Sequence, residues 1–179
     1  MAYLIVSSSL NPASRSRILA ERAHALMRGE GVPVEYVDLR LLNLPTCDGD
    51  GCYSDPGVQV LGRKIARANG ILLATPIYNY SVSASAKNLV ELTGQAWSRK
   101  IVGFLCAAGG AGSYMAAMGL ANMLMLDFRS IILPRFVYAS DTSFEGDAIV
   151  DTAVEDRLRD LTATLVRFSE ALRGSGALD

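Results

Sequence analysis

Ile71-Leu72-Leu73-Ala74-Thr75-Pro76-Ile77-Tyr78-Asn79-Tyr80-Ser81 opens with four apolar residues in unbroken succession, closed by Thr75 and Pro76. A strand with one wet face alternates polar and apolar residues, whereas this run fits a strand covered on both faces, as a parallel sheet requires. Working outward, short apolar runs recur at Tyr3 to Val6, Val34 to Val37, Ile101 to Ala107 and Ser130 to Leu133. Helical patterns separate them, at Ser14 to Arg28, Gly57 to Ala68, Ser83 to Leu92, Tyr114 to Asp127 and Asp147 to Leu172. In the last of these, Val154, Leu158, Leu161, Leu165, Phe168 and Leu172 recur at steps of four and three, which marks one buried stripe. Five strands alternating with five helices predict an α/β fold of three layers, a doubly wound parallel five-stranded sheet with right-handed crossovers.

The chain has 179 residues, half of them hydrophobic and 20% charged, and a mean hydropathy of +0.25. That length and composition suit one domain, 1–179, with a sizeable core. Seventeen Lys and Arg against 18 Asp and Glu leave a net charge of −1, which supplies no field for nucleic acid or an anionic membrane. No apolar run approaches the roughly 18–20 residues of a bilayer span. Met1 to Val6 lacks a basic flank and runs straight into Ser7, Ser8 and Ser9, so a secretory leader is not expected and the cytoplasm is. Three cysteines, Cys47, Cys52 and Cys106, form an odd set that suits free thiols in a reducing compartment.

In an open doubly wound sheet, ligands sit beyond the carboxyl ends of the strands at the switch in strand order. The loops after the first, third and fourth strands therefore matter most. The first, Ser7 to Arg17, holds five serines and no carboxylate, and donors at a helix N-terminus favour an anion such as a phosphate; helix capping by Ser14 with solvated serines is the plainer alternative. The second, Thr75 to Ser83, offers two tyrosines, an amide and hydroxyls, which suits a flat heteroaromatic ring or a turn packed on the core. The third, Ala107 to Tyr114, contains Gly109, Gly110 and Gly112, which let backbone approach a ligand closely. Neither G-x-G-x-x-G nor G-x-x-x-x-G-K-[ST] follows a strand, so the dinucleotide and triphosphate fingerprints are absent.

Together, Ser9-Leu10-Asn11 with Ser14, the Thr75 to Ser81 stretch, Lys87-Asn88 and Gly109-Gly110 resemble the NADPH-dependent FMN reductase family of flavodoxin-like proteins. The resemblance runs from Leu4 to about the terminal helix, through Pro134 and Phe144-Glu145-Gly146. It implies strand order 2-1-3-4-5, a bound FMN, and NADPH or NADH as electron donor. By that likeness Ser9, Asn11, Ser14 and Ser16 hold the phosphate with Arg15 or Arg17 near it. Pro76, Ile77, Tyr78, Asn79 and Tyr80, with Ser81 beside them, line the isoalloxazine, and Gly109, Gly110 and Ser113 its other edge. The implied reaction is a ping-pong hydride transfer from nicotinamide through FMN to a free flavin, quinone, azo compound or metal oxyanion, in a homodimer or homotetramer. Two departures stand out: the family usually has arginine at the position of Asn11, and Pro-Gly within the stretch that here reads Ser83-Ala84-Ser85-Ala86. An electron-transfer protein that docks a redox partner is the alternative, though such carriers are usually strongly acidic.

Other residues carry less. His24, the only histidine, lies in the first helix, away from the three loops. Cys106 lacks the arginine that a C-x5-R phosphatase needs, since Gly112 stands there. Trp97 either covers the edge of the core or presents its ring to a neighbour's flavin. Cys47 and Cys52, spaced C-x4-C, are too few for an iron-sulfur cluster and read as inert loop thiols or a redox pair. Met115, Met118, Met123 and Met125 crowd one helix, as core filling or as an oligomer interface.

Overall fold

A computed structural model describes residues 2–175; Met1, the first residue of the leader reading, and the last four residues of the expected 1–179 domain lie outside the described residues. The chain runs β1 (Tyr3–Ser7), α1 (Arg15–Gly29), β2 (Val34–Asp38), α2 (Pro56–Arg67), β3 (Ile71–Tyr78), β4 (Ser81–Val82) and α3 (Ala84–Thr93). It continues through β5 (Ile101–Ala107), α4 (Met118–Phe128), β6 (Ile131–Ile132), β7 (Val137–Ala139), β8 (Phe144–Glu145), β9 (Ala148–Ile149) and α5 (Thr152–Gly174). The parallel sheet has the order β2-β1-β3-β5-β6, the doubly wound arrangement that the patterning predicts. Every residue of β1 and β5 is buried, and so is all of β3 but its last, because helices cover both faces. One core layer joins the sheet to α2, α3 and α4 through Leu61, Leu89, Phe104 and Leu124. The other joins it to α1 and α5 through Leu19, Leu72, Leu158 and Leu161. Gly103 lets α5 come close, since a Cβ there would lie 2.9 Å from Leu72 Cδ2 and 3.3 Å from Leu161 Cδ1.

Four elements differ from their sequence reading. The third strand continues past Pro76 to Tyr78 and folds back through a two-residue turn, Asn79 and Tyr80, onto β4. Pro76 is tolerated because Ala74 is the last residue of β3 paired to β1; beyond it, the missing N–H faces the side that β1 has already left. The fifth strand is two pieces, β6 and β7, that pair with the two ends of β5 and are interrupted at Pro134, Arg135 and Phe136. Tyr114 begins no α-helix: Ala111–Ala117 is a 3-10 stretch, and α4 starts at Met118. The terminal helix starts at Thr152 rather than Asp147, because Asp151 caps it by accepting from the N–H groups of Ala153 and Val154, and Gly146, at φ 56°, turns the hairpin β8–β9 before it.

Candidate active site

β1 and β3 run parallel, but the order in which strands are added reverses between them, so the loops that leave them part and open a crevice at their carboxyl ends. The crevice has a volume of about 240 Å³ and is lined by Asn11, Ala13, Ser14, Arg15 and Ser16 after β1, by Pro76, Ile77 and Tyr78 at the end of β3, by Ala107, Ala108 and Gly109 after β5, and by Asp141. A larger hollow, about 520 Å³, lies beside Ala2, Tyr3 and Leu4 at the amino end of the sheet, the end away from the strand-order switch.

The wall at α1 gathers hydroxyls at a helix N-terminus. Ser14 caps the helix by accepting from the N–H of Arg17, and its hydroxyl lies 2.9 Å from that of Ser16, both buried. The first-turn N–H groups have no helical carbonyl to reach and point at the same spot. Asn11 is exposed, and its carboxamide oxygen accepts from the N–H of Ala13 at 2.9 Å, so it shapes the loop rather than supplying the charge of an arginine. Arg15 stands at the mouth: its Nη1 donates to the Asp141 carbonyl at 2.9 Å, its Nε lies 3.2 Å from the Asp141 carboxylate, and its guanidinium sits 5.3 Å from the Phe144 ring centre. Arg17 turns away to Glu21, which raises its pKa, and to the Pro12 carbonyl.

Below the crevice, buried hydroxyls tie the two diverging loops together. Ser83 Oγ lies 3.2 Å from Ser8 Oγ and 3.2 Å from Thr75 Oγ1, and Thr75 Oγ1 accepts from the Ser83 N–H. Satisfied in this way, the polar groups hold the two loops in one arrangement. Asn88 anchors a third segment: its Oδ1 accepts from the Cys47 N–H at 2.8 Å and its Nδ2 donates to the Pro45 carbonyl at 2.9 Å.

Eight of the residues singled out from the sequence therefore meet in the crevice: Asn11, Ser14, Arg15, Ser16, Pro76, Ile77, Tyr78 and Gly109. Six do not line it. Ser9 is buried under the loop and accepts from the Asn11 N–H, Asn79 and Tyr80 form the hairpin turn, and Ser81 pairs with Tyr78. The Gly110 carbonyl accepts from Tyr138 Oη at 2.6 Å, and Ser113 lies in the 3-10 stretch. Sequence reasoning missed Ala13, Ala107, Ala108 and Asp141. Ala107 and Ala108 show only as small residues where a strand ends, Ala13 as a small residue just before the cap of α1, and Asp141 carries no motif signal at all. Cys106, buried beside the crevice, has its thiol pushed up to about 12 by burial and is no nucleophile at neutral pH. Trp97 is fully buried and donates to Thr93 Oγ1, so its ring faces no neighbour.

Residues 1–145 match the family of NADPH-dependent FMN reductases. The chain belongs to that family. It is 30% identical over 154 residues to the NADPH:quinone oxidoreductase of Arabidopsis thaliana, covering 80% of this chain and 78% of the other. It is also 30% identical over 171 residues to the FMN reductase (NADPH) of Pseudomonas putida, covering 90% and 85%. The flavoenzyme FerB, an NAD(P)H:(acceptor) oxidoreductase from Paracoccus denitrificans, shares the fold with a TM-score of 0.77 at 20% identity, covering 95% of this chain and 97% of that one. The chain is thus an NAD(P)H-dependent oxidoreductase of the FMN reductase and quinone reductase type, in a family that pairs NAD(P)H with FMN or FAD.

Proposed function

We propose that the crevice at the carboxyl ends of β1, β3 and β5 holds FMN and that the enzyme reduces flat two-electron acceptors, quinones or free flavin, at the expense of NAD(P)H. The observation that carries this reading is the buried Ser14 and Ser16 hydroxyl pair at the N-terminus of α1, opening into a crevice whose one lining carboxylate among the described residues, Asp141, is paired with Arg15. Two hydroxyls, free N–H groups and a nearby guanidinium suit a phosphate. The small residues Ala13, Ala107, Ala108 and Gly109 leave room for a planar ring beside Pro76 and Ile77.

When bound, FMN supplies the hydride acceptor and donor, chemistry that no side chain here provides. The protein's part is to grip the phosphate with Ser14, Ser16 and Arg15, to give the ring apolar cover with Ile77, and to flank the mouth with the half-exposed Tyr78 and Tyr80. Donor and acceptor then take turns at one mouth, which gives parallel double-reciprocal lines. The whole chain works as one FMN-binding domain. Its free thiols, Cys47, Cys52 and Cys106, fit the reducing cytoplasm. On α4 and the turn before it, Met115, Met118, Met125 and Leu126 stay exposed, and Leu126 is 76% accessible, which suits a homodimer or homotetramer built on this face.

Riboflavin lacks only the phosphate, so it separates the phosphate grip from the ring contacts. In a fluorescence titration of flavin-free protein, Ser14→Ala with Ser16→Ala lowers FMN affinity roughly tenfold or more, about the worth of one hydrogen bond to a charged group. Riboflavin affinity stays unchanged. Equal losses for both flavins would place the phosphate elsewhere.

A further inference from the structure

The loop between β2 and α2 brings two thiols together: Cys52 Sγ lies 3.8 Å from Cys47 Sγ. A specific turn holds them there. The Asp48 carboxylate accepts from the N–H groups of Asp50, at 2.9 Å, and Cys52, at 3.1 Å, which folds the loop back on itself, while Asn88 fixes the Cys47 backbone from α3. The two thiols differ in access. Cys47 is half-buried and lines an open groove of about 650 Å³ together with Tyr53, whose hydroxyl is 3.6 Å from its sulfur. Cys52 is buried, and burial together with the Asp48 carboxylate favours its protonated form. Among the described residues no set of three or more His, Cys, Asp or Glu converges as metal ligands would.

We propose that Cys47 and Cys52 are a peroxide-responsive dithiol that closes to an intramolecular disulfide. Cys47, the thiol open to the groove, attacks the outer oxygen of a hydroperoxide. An S–O bond forms, the O–O bond breaks, and the alcohol leaves with the Cys47 proton. Cys52 then displaces the oxygen from Cys47; an S–S bond forms, the S–O bond breaks, and water leaves with the Cys52 proton. The two sulfurs give up two electrons and the peroxide takes them. Sulfurs already 3.8 Å apart need to approach by less than about 2 Å to reach bonding distance, within the reach of a side-chain rotation and a small loop shift. A small thiol reverses the closure by exchange. The step does not depend on flavin.

The test treats the reduced full-length protein with a modest excess of tert-butyl hydroperoxide, quenches it, unfolds it and alkylates it with N-ethylmaleimide before intact and peptide mass spectrometry. Of the three free thiols, the wild type is expected to keep one, at Cys106, with the Cys47 and Cys52 peptides joined and lighter by two hydrogens. Cys52→Ser stops at an oxidised Cys47 that dimedone traps, and Cys47→Ser loses its remaining loop thiol roughly tenfold more slowly, because Cys52 is buried and protonated. Three alkylated thiols in treated wild type would overturn the proposal. So would disulfides linking two chains, or a Cys47→Ser variant that reacts as fast as the wild type.

Discussion

Tyr80 holds a left-handed backbone, φ 61°, directly after Asn79 at φ 49°. A two-residue turn with both angles positive suits a right-twisted hairpin, and its favoured sequence is Asn-Gly, so Asn79 is at home and Tyr80 is not. Strain of about 1–2 kcal/mol at a side chain 59% exposed is offset by little packing, which points to a use at the crevice mouth. Tyr80→Gly is expected to raise stability by about 0.5–1 kcal/mol, since relief of strain outweighs the glycine's greater unfolded entropy, while NADPH oxidation falls. Thermal melts and steady-state rates on the same sample check both halves. The residue scale is also where the sequence was least legible. Hydroxyls and a glycine at strand ends announced the crevice, but Asp141, which Arg15 grips, comes from a loop with no pattern of its own.

At the scale of elements, α1 and α5 lie side by side on one face of the sheet, and Glu155 ties them. Its carboxylate takes hydrogen bonds from Arg22 on α1 and an ion pair from Arg159 one turn along α5. Bonding to Arg22 is the chief cause that holds the Glu155 pKa below its ordinary 4.5. A carboxylate with a lowered folded pKa lends stability that is complete above 4.5, fades as pH drops below it, and is gone once pH passes beneath the folded value. Glu155→Gln should therefore cost stability at pH 7 and flatten the acid limb of the stability curve, while the wild type closes the gap as pH falls through that window. Denaturant midpoints at pH 7 and pH 3 measure it; a constant gap would contradict the assignment. Apolar runs covered on both faces made the main strands and their order readable, because a buried parallel sheet leaves no other composition. The continuation of β3 into a hairpin was hidden, because it rests on a tyrosine in a conformation that propensity argues against. The split of the edge strand into β6 and β7 had one cue, Pro134, which cannot donate to a ladder.

Across the whole molecule, one face remains uncovered. The row Met115, Met118, Met125 and Leu126 is apolar and exposed, whereas on the other side α1 and α5 bury Leu19, Leu158, Leu161 and Leu165 against the sheet, with Phe168 of the expected stripe left exposed. If copies of the chain meet there, Leu126→Asp shifts the eluted species to the size of one chain in light-scattering chromatography, with the melting temperature of the isolated fold preserved; an unchanged assembly would move the interface elsewhere. The central claim, however, concerns the crevice. The visible spectrum of the purified protein, recorded before and after anaerobic addition of NADPH, tests it most directly. The account predicts a yellow flavin chromophore that travels with the protein, is released as FMN on denaturation, and bleaches with the reductant. A colourless protein that gains no chromophore when incubated with FMN, or a bound flavin that NADPH leaves oxidised, would contradict it.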